Sequence, residues 1–136
     1  MIIGIGTDIV EVARIEKAIK RSERFIQKLF TSSEIEYFES RSMLATTVAG
    51  NFAAKEAVSK VFGTGLRGFE WTDIEVLRDA LGKPCVTLYG GAKQIAEKLG
   101  ITEIMVSISH CDTYAVAYCV GTHQQREGDE GNEISH

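Results

Sequence analysis

Residues 43–65, MLATTVAGNFAAKEAVSKVFGTG, decide the fold of this chain. They form the longest helical pattern in the sequence, which predicts a helix over about 43–62 that ends at Gly63-Thr64-Gly65. At about 100° per residue, Glu56 and Lys60 lie roughly 40° apart on this helix, whereas alanine and valine occupy the opposite side. The segment therefore predicts a closely packed central helix with a carboxylate and an ammonium on one polar edge.

Helical patterns precede this segment and strand patterns follow it. The periods predict a first strand at 2–10, helices at 11–22 and 24–30, and a further helix after the capping box of Thr31 and Glu34. Beyond residue 65 the apolar period changes to two, which predicts strands at 72–78, 85–89, 103–110 and 114–120 and a short helix at 91–99. This order predicts one α+β domain with a mostly antiparallel sheet packed against the long helix.

Charge is unevenly distributed along the chain of 136 residues. Residues 123–136 hold one arginine and four acidic residues, so they carry −3 of the net charge of −4 and leave −1 for residues 1–122. A nearly neutral body argues against nucleic-acid binding, which usually needs a strongly basic surface. We expect a folded domain at 1–122 and an acidic, disordered tail at 123–136, because the tail has too few apolar residues to repay its ordering entropy.

The cysteines and the apolar runs indicate the cellular compartment. Cys85, Cys111 and Cys119 are an odd number without a C-x-x-C spacing, so we expect reduced, mostly buried thiols in a cytoplasmic protein. No apolar run approaches the roughly 18 residues that span a membrane. The apolar start of the chain is interrupted by glycine and aspartate, which favours a buried strand over a signal peptide.

Asp8 is the first residue that could carry chemistry. Gly4 and Gly6 permit a close backbone approach just before it, and the predicted buried strand ends near it. Asp8 could equally cap the following helix, because aspartate is a preferred N-cap residue. The local pattern leaves both interpretations open.

Glu56, Lys60 and His110 are the other candidates. Glu56 and Lys60 have the i,i+4 spacing of an ordinary surface ion pair. His110 ends the alternating strand VSISH at 106–110, where an imidazole can hold a phosphate, shuttle a proton or serve as a partly buried polar group. Spacing alone does not choose between these functional and structural roles.

The first two predicted helices carry a one-sided positive charge. Residues 12–30 contain six basic residues but only two acidic ones, Glu16 and Glu23. The basic residues recur at helical intervals and are Arg14, Lys17, Lys20, Arg21, Arg24 and Lys28. Such a run is typical of a solvated helix face or of a docking patch for an acidic partner.

Taken together, these segments resemble the holo-acyl-carrier-protein synthase family, the small bacterial type of 4′-phosphopantetheinyl transferase. The resemblance covers nearly the whole chain up to about residue 120. It rests on GIGTDIVEVARIE at 4–16, FAAKEAVSKVFGTG at 52–65, GKP at 82–84 and VSISH at 106–110. One such segment would be weak, but four in the right order and at the right spacing are a specific signal.

The resemblance implies a role for each matching residue. Asp8 and Glu56 would hold Mg²⁺, which takes hard oxygen ligands and commonly uses one or two carboxylates plus substrate phosphates. Lys60 would add positive charge at the phosphates of coenzyme A. The other cofactor-binding positions would be Gly63, Thr64, Gly65, Gly82, Lys83, Pro84 and His110, with the 82–84 turn beside the adenosine.

The implied reaction is the transfer of 4′-phosphopantetheine from coenzyme A to a serine of apo-acyl carrier protein, for fatty acid biosynthesis. The serine hydroxyl attacks the β-phosphorus, and adenosine 3′,5′-bisphosphate leaves. Glu56 or a water at the metal would take the serine proton. Arg14, Arg21 and Arg24 would dock the acidic carrier, and the family implies a homotrimer with active sites between subunits.

Two features depart from the family pattern. Some relatives have an arginine where this chain has Asn51, so part of the positive charge at the phosphates must come from elsewhere, with Arg41 and Lys55 as the candidates. The acidic tail has no counterpart in the pattern.

Other functions remain open at the level of sequence. A non-catalytic coenzyme A or nucleotide-binding protein would not need both Asp8 and Glu56, and an interaction module acting through the basic helix would not need Lys60 or His110. The larger single-chain transferases fuse two copies of this unit, whereas this chain holds one.

Overall fold

The long helix lies at the centre of the molecule. The computed structural model describes residues 1–63 and 67–125. Within them the chain forms five strands and five helices, with a short 3₁₀ turn at Trp71–Asp73. In chain order these are β1 (Ile2–Glu11), α1 (Val12–Arg21), α2 (Glu23–Leu29), α3 (Ser32–Ser40), α4 (Ala45–Phe62), β2 (Ile74–Arg78), β3 (Pro84–Leu88), α5 (Gly90–Leu99), β4 (Glu103–His110) and β5 (Tyr114–Thr122).

The strands form two antiparallel sheets. β1, β5 and β4 make a three-stranded sheet in that order, and β2 and β3 make a separate hairpin. α4 packs against β1, β5 and β4 on one side and against β2 on another. The predicted α+β fold, with antiparallel strands around a long helix, is confirmed.

Gly4 and Gly6 let β1 approach the backbone of α4. A Cβ atom at Gly6 would lie 2.0 Å from the Ala57 carbonyl oxygen, and one at Gly4 would lie 2.6 Å from the Val61 carbonyl oxygen. Both distances are far below van der Waals contact, so only glycine fits at this separation of strand and helix. The close backbone approach expected at these glycines is therefore an approach to α4.

β1 is buried on one face only. Ile5 and Ile9 point away from α4 and are 57% and 62% exposed, so the prediction of a buried strand was wrong for this face. The strand also continues to Glu11, which is the residue that caps α1. Asp8 therefore lies inside the strand, and the explanation of Asp8 as a helix cap was wrong.

The helices α1, α2 and α3 pack together against the first half of α4. The capping box of α3 is confirmed: Thr31 Oγ1 accepts a hydrogen bond from Glu34 N at 3.2 Å, and Glu34 Oε1 accepts one from Thr31 N at 3.0 Å. The apolar contacts that hold these helices come from Val12, Ile15, Ile26, Leu29, Phe30, Phe38, Val48, Ala49 and Ala115.

Two elements begin later than the sequence predicts, for local reasons. α4 begins at Ala45 because Ser42 and Met43 adopt left-handed φ angles of 57° and 52°. β2 begins at Ile74 because the preceding residues form the capped 3₁₀ turn at Trp71–Asp73.

The cysteines differ from the expectation of mostly buried thiols, which was wrong for two of the three. Cys119 is buried, but Cys85 and Cys111 are exposed, and all three are free. Cys85 lies on the outward side of β3, and Cys111 lies in the turn between β4 and β5. Among the described residues, no helix combines the length and apolar character required to cross a membrane.

The chain is anchored just after β5. His123 N donates to the Met1 carbonyl oxygen at 2.8 Å, and Gln124 N donates to Thr102 Oγ1 at 2.7 Å. Residues 126–136 lie outside the described residues. The disordered acidic tail therefore stays a prediction.

Candidate active site

Asp8 of β1 and Lys60 of α4 meet at the interface of sheet and helix. Lys60 Nζ lies 3.3 Å from Asp8 Oδ1 and donates a hydrogen bond to the Thr7 carbonyl oxygen at 2.9 Å. The Asp8 side chain is only 10% exposed, whereas that of Lys60 is 54% exposed. The ammonium is therefore fixed by two oxygens of β1 and still accessible to an anionic ligand.

Glu56 lies beside the same carboxylate. The pKa of Glu56 is raised to about 7, first by burial and then by the neighbouring Asp8 carboxylate, while the charges of Lys60 and Arg14 act in the opposite direction. Asp8 Oδ2 is buried and has no hydrogen-bond donor among the described residues. Two carboxyl groups thus lie near one lysine that is paired with Asp8 only, and a proton or a further cation is needed to balance them.

The packing of β1 on α4 creates this cluster. Gly6 rests against Ala57, and Asp8 is two residues farther along the same face of the strand. Glu56 directly precedes Ala57, and Lys60 follows it by nearly one helical turn. The close strand–helix contact at Gly6 therefore places a strand carboxylate between the two charged residues of the helix.

The donor set suits a hard divalent cation. Within residues 1–63 and 67–125, no group of three or more His, Cys, Asp and Glu side chains is arranged to hold a metal by itself. Mg²⁺ needs no such group, because it commonly takes one or two protein carboxylates and completes its shell with water and phosphate oxygens. The orphaned Asp8 Oδ2 and the adjacent Glu56 carboxyl fit that requirement.

A groove of about 420 Å³ lies next to Glu56. Its lining includes apolar residues of three helices, namely Ile15, Ala18, Phe25 and Phe52, together with the charged residues Arg14 and Glu56. Phe25 and Phe52 were not among the site residues predicted from sequence. Phe52 stands within the quoted helix motif and Phe25 within the basic run, but only the packing of α1 and α2 against α4 brings them together.

Lys55 lies next to Glu56 in the sequence but points into the interior. Its Nζ is 2.7 Å from Glu34 Oε1, and both side chains are fully buried. The same ammonium donates to the carbonyl oxygens of Trp71, at 3.0 Å, and Ile74. Lys55 has no accessible surface, so the suggestion that it supplies charge to the phosphates of a ligand was wrong.

Asn51 belongs to the same buried network. Its Nδ2 donates to Glu34 Oε2 at 3.2 Å and to the Val76 carbonyl oxygen at 2.9 Å. Burial raises the pKa of Glu34, while Lys55 and the backbone donors of Thr31 and Val76 lower it. Asn51 therefore joins α4 to β2, and it does not face a ligand.

The other predicted cofactor residues fall in three further segments of the sequence, namely 63–65, 82–84 and His110. Gly63 ends α4 with a left-handed φ of 72°, and Thr64 and Gly65 lie outside the described residues. Gly82, Lys83 and Pro84 form the end of the predicted β2–β3 hairpin, in which the Asp79 carboxylate accepts hydrogen bonds from Leu81 N and Lys83 N, both at 2.9 Å.

His110 is exposed at the end of β4. It pairs with Ala115 of β5, which in turn pairs with Val10 of β1. In the described part of the chain, neither His110 nor the 82–84 turn is hydrogen-bonded or ion-paired to Asp8, Glu56 or Lys60. A cavity of about 590 Å³ borders Lys83 and Pro84, between β3, α5 and β4. The structure thus gathers Asp8, Glu56 and Lys60, and it leaves Gly63, Gly82, Lys83 and His110 exposed.

The predicted docking residues Arg14, Arg21 and Arg24 are all exposed. Arg14 also lines the groove and is close enough to Glu56 to lower its pKa. Lys20 forms a surface pair with Glu16 at 3.1 Å. A positive surface therefore adjoins the groove that leads to Glu56.

Known proteins resemble this chain over most of its length. The model of the 4′-phosphopantetheinyl transferase superfamily matches residues 4–119. The holo-[acyl-carrier-protein] synthase of Clostridium novyi is 57% identical over 120 residues, which cover 88% of this chain and 87% of that protein.

Solved structures give the same result. The Helicobacter pylori holo-[acyl-carrier-protein] synthase in complex with coenzyme A is 33% identical, with a TM-score of 0.77 over 87% of this chain and 99% of that one. The Bacillus anthracis holo-(acyl-carrier-protein) synthase in complex with CoA (3′,5′-ADP) is 37% identical, with a TM-score of 0.75 over 91% of this chain and 99% of that one. This chain belongs to the 4′-phosphopantetheinyl transferase superfamily.

Proposed function

We propose that this chain is a holo-[acyl-carrier-protein] synthase that acts in the cytoplasm in fatty acid biosynthesis. It transfers the 4′-phosphopantetheine group of coenzyme A to a serine of apo-acyl carrier protein and releases adenosine 3′,5′-bisphosphate. The observation that carries the proposal is the cluster of Asp8, Glu56 and Lys60. The 57% identity to the holo-[acyl-carrier-protein] synthase of Clostridium novyi supports it.

Lys60 is proposed to bind the pyrophosphate of coenzyme A. Its ammonium is held by Asp8 and by the Thr7 carbonyl oxygen, yet more than half of the side chain is accessible. A fixed positive charge stabilises the negative charge that develops on the leaving phosphate without having to reorganise during the reaction.

Glu56 is proposed to take the proton from the carrier serine. Without a bound cation the pKa of Glu56 is raised to about 7, and a cation on Asp8 and Glu56 would lower it and keep the carboxylate ionised and able to accept a proton. Glu56 also lines the groove beside the basic helices, which is the side from which a docked carrier would present its serine.

Asp8 and Glu56 are proposed to hold Mg²⁺ together with the phosphates of coenzyme A. The buried, unpartnered Asp8 Oδ2 and the adjacent Glu56 carboxyl support this ligand set. When bound, the ion would offset the charge on the departing diphosphate. Mn²⁺ takes the same oxygen ligands and should also support the reaction.

The carrier is proposed to dock on α1 and α2. Arg14, Arg21 and Arg24 present positive charge to an acidic partner, and Phe25 and Phe52 offer an apolar surface beside Glu56. The turn at Gly82, Lys83 and Pro84, with Gly63 and His110, is proposed to face the nucleotide part of coenzyme A.

A homotrimer with active sites between subunits is proposed from the outer face of the three-stranded sheet. Ile5, Ile9, Met105, Tyr114 and Tyr118 are exposed on strands whose other face packs on α4. A contiguous apolar surface of this kind usually marks an interface. Ile9→Glu should convert the trimer to a monomer in light scattering, whereas Lys98→Glu on the exposed side of α5 should leave the assembly unchanged.

The transfer is tested by intact mass spectrometry of the carrier. Incubation with coenzyme A, apo-acyl carrier protein and Mg²⁺ should increase the carrier's mass by one phosphopantetheine, and a chelator should prevent the increase. Asp8→Ala and Glu56→Ala should each abolish transfer without unfolding the chain. Retention of coenzyme A with no mass increase would instead support a non-catalytic binding protein.

Docking is tested separately from chemistry. Arg14→Glu with Arg21→Glu should weaken carrier binding, while coenzyme A binding changes little. Unchanged carrier affinity in this variant would show that the carrier docks elsewhere.

A further inference from the structure

The positive face of α1 and α2 has almost no carboxylate partners in the described part of the chain. We call it the basic surface, and its members are the exposed residues Arg14, Lys17, Lys20, Arg21, Arg24 and Lys28. Within residues 1–63 and 67–125, only Lys20 of this set forms an ion pair, with Glu16 at 3.1 Å. The other five cations are therefore open to an anionic partner.

Residues 126–136, with the sequence REGDEGNEISH, carry the opposite charge. They hold one basic residue and four acidic ones, so their net charge is −3, whereas residues 12–30 carry +4. The acidic residues are Glu127, Asp129, Glu130 and Glu133. Two segments of one chain thus have nearly equal and opposite charges, and such segments attract each other.

The described chain ends beside the start of β1. His123 N donates to the Met1 carbonyl oxygen at 2.8 Å, and the Met1 amino group donates to the His123 carbonyl oxygen at 3.1 Å. Gln124 N donates to Thr102 Oγ1 at 2.7 Å, just before β4. Residues 126–136 therefore continue from the end of the sheet at which β1 begins.

The basic surface lies within reach of this point. Asp8 follows Ile2 by six residues, which is about 20 Å along an extended strand. Arg14 lines the groove at Glu56, beside Asp8. Glu133 follows residue 125 by eight residues, so it can lie up to about 26–29 Å from it. The acidic residues can therefore reach the basic surface of their own chain.

Attachment to the same chain favours this contact. A segment tethered by a short stretch of chain reaches an effective concentration in the millimolar range when its length matches the span. Weak, exposed ion pairs then suffice to keep part of the basic surface occupied. An acidic carrier must displace the segment before it can dock there.

We propose that residues 126–136 bind the basic surface of their own chain and compete there with the acidic carrier. This inference rests on the proposed function and names a regulation of its carrier-docking site. Salt weakens the contact, because its ion pairs are exposed. The segment thus acts as an internal competitor, and it favours carriers whose negative charge is dense enough to displace it.

The first test neutralises the segment in the full chain. The variant combines the substitutions Glu127→Gln, Asp129→Asn, Glu130→Gln and Glu133→Gln, which keep the side-chain size. Fluorescence anisotropy of labelled apo-acyl carrier protein measures binding without any chemistry. In low salt the variant should bind the carrier about three- to tenfold more tightly than the wild type, the effect of one or two exposed ion pairs.

Salt and a matched control sharpen this test. The difference between variant and wild type should disappear at about 300 mM salt, where exposed charges are screened. Glu97→Gln removes an exposed negative charge from α5 and should leave carrier affinity unchanged within about twofold. Equal affinity of the neutralised variant and the wild type in low salt would overturn the proposal.

A double-mutant cycle separates competition from general repulsion between the acidic segment and the acidic carrier. Competition needs the basic surface, so neutralising the segment should give no gain in affinity when Arg14→Glu and Arg21→Glu are also present. Repulsion does not need that surface. A gain of the same size in the charge-reversed background would therefore overturn the competition.

Cross-linking tests the contact without a carrier. A water-soluble carbodiimide joins neighbouring carboxylates and amines, and mass spectrometry should find the segment of the wild type linked to Lys17, Lys20 or Lys28. Links only to other lysines, such as Lys93 or Lys98, or links only between isotopically labelled and unlabelled copies would overturn the proposal. A carrier that does not bind, with the links to the basic surface preserved, would overturn the transferase function and leave the contact.

Discussion

Two charged clusters lie on different sides of α4, and they are built in opposite ways. The Lys55–Glu34 pair is fully buried, at 2.7 Å, and Glu34 also accepts from Thr31 N, Asn51 Nδ2 and Val76 N. In the Asp8–Glu56–Lys60 cluster the contacts are looser, at 3.3 Å from Lys60 to Asp8, and one buried carboxylate oxygen has no donor.

The difference separates structural charges from candidate catalytic ones. A buried pair is tolerated when its hydrogen bonds are satisfied, as those of Glu34 are. An under-satisfied, partly accessible cluster is costly in the unliganded protein and gains interactions when a ligand arrives. Neighbouring residues of one helix, Lys55 and Glu56, thus belong to two different kinds of site.

The largest expected effect is on the buried pair. Lys55→Met should lower the free energy of unfolding by about 3–5 kcal/mol, because it leaves Glu34 as an uncompensated buried charge. Urea unfolding measures the change, with Lys98→Met on exposed α5 as the control. A loss below about 1 kcal/mol would show that the pair contributes little and would remove the contrast between the clusters.

The next effect concerns the contact that joins the strand to α4. Gly6→Ala should cost about 3 kcal/mol, because its Cβ would meet the Ala57 carbonyl oxygen at 2.0 Å. It should also reduce transfer more than its loss of stability explains, since any outward shift of β1 moves Asp8 from Glu56. Gly100→Ala is the matched control: its Cβ would meet only His123 Nδ1, at 3.9 Å, and it should cost only the strain of its positive φ, about 1 kcal/mol. Similar losses of transfer in the two variants would show that the contact of Gly6 with α4 does not position Asp8 for the reaction.

Glu56→Gln should have a smaller effect of opposite sign. The pKa of Glu56 is raised from 4.5 to about 7, so the stability that its protonated form contributes is present below pH 4.5 and is lost as the pH rises through 7. At pH 8, in chelator, the glutamine variant should be about 1 kcal/mol more stable, a value reduced because Glu56 is partly exposed.

Calorimetric melting at pH 5 and pH 8 measures this change. The variant should gain about 4 °C in Tm at pH 8 and much less at pH 5. Mg²⁺ should stabilise the wild type more than the variant. A variant that is less stable than the wild type at pH 8 would mean that Glu56 and Asp8 do not oppose each other in the free protein.

Most of the fold could be predicted from local pattern. Three predicted features each have one physical cause that acts within a few residues, and the structure reproduces them. They are the helical period over α4, the capping box at Thr31 and the alternation of β4. The exposed face of β1 could not be predicted in this way. Ile5 and Ile9 have the composition of a buried strand, and only the sheet order shows that no element in the described part of the chain covers them.

Site residues could be predicted where they belong to the quoted sequence motifs. They could not be predicted where only the packing of separate elements brings them together. Asp8, Glu56 and Lys60 stand in two quoted motifs, and their meeting follows from the glycine contact of β1 with α4. The sequence could not show that Lys55 faces inward. A helical period alone does not reveal which charged side chain finds hydrogen-bond and ion-pair partners in the interior.

The smallest expected change in stability is at Lys60, and it makes the sharpest contrast with Lys55. Lys60→Met replaces an ammonium on the same helix, five residues later, that is 54% exposed. It should change the free energy of unfolding by less than about 0.5 kcal/mol, because partly exposed ion pairs contribute little. It should nevertheless reduce kcat/KM for transfer by about a hundredfold, the usual cost of losing one fixed charge at a developing anion. Urea unfolding and the carrier mass assay on the same preparation measure both quantities. The opposite result would be a Lys60→Met variant that is as destabilised as Lys55→Met and loses activity only in proportion to its unfolding. That result would show that Lys60 has a structural role and no direct part in the transfer.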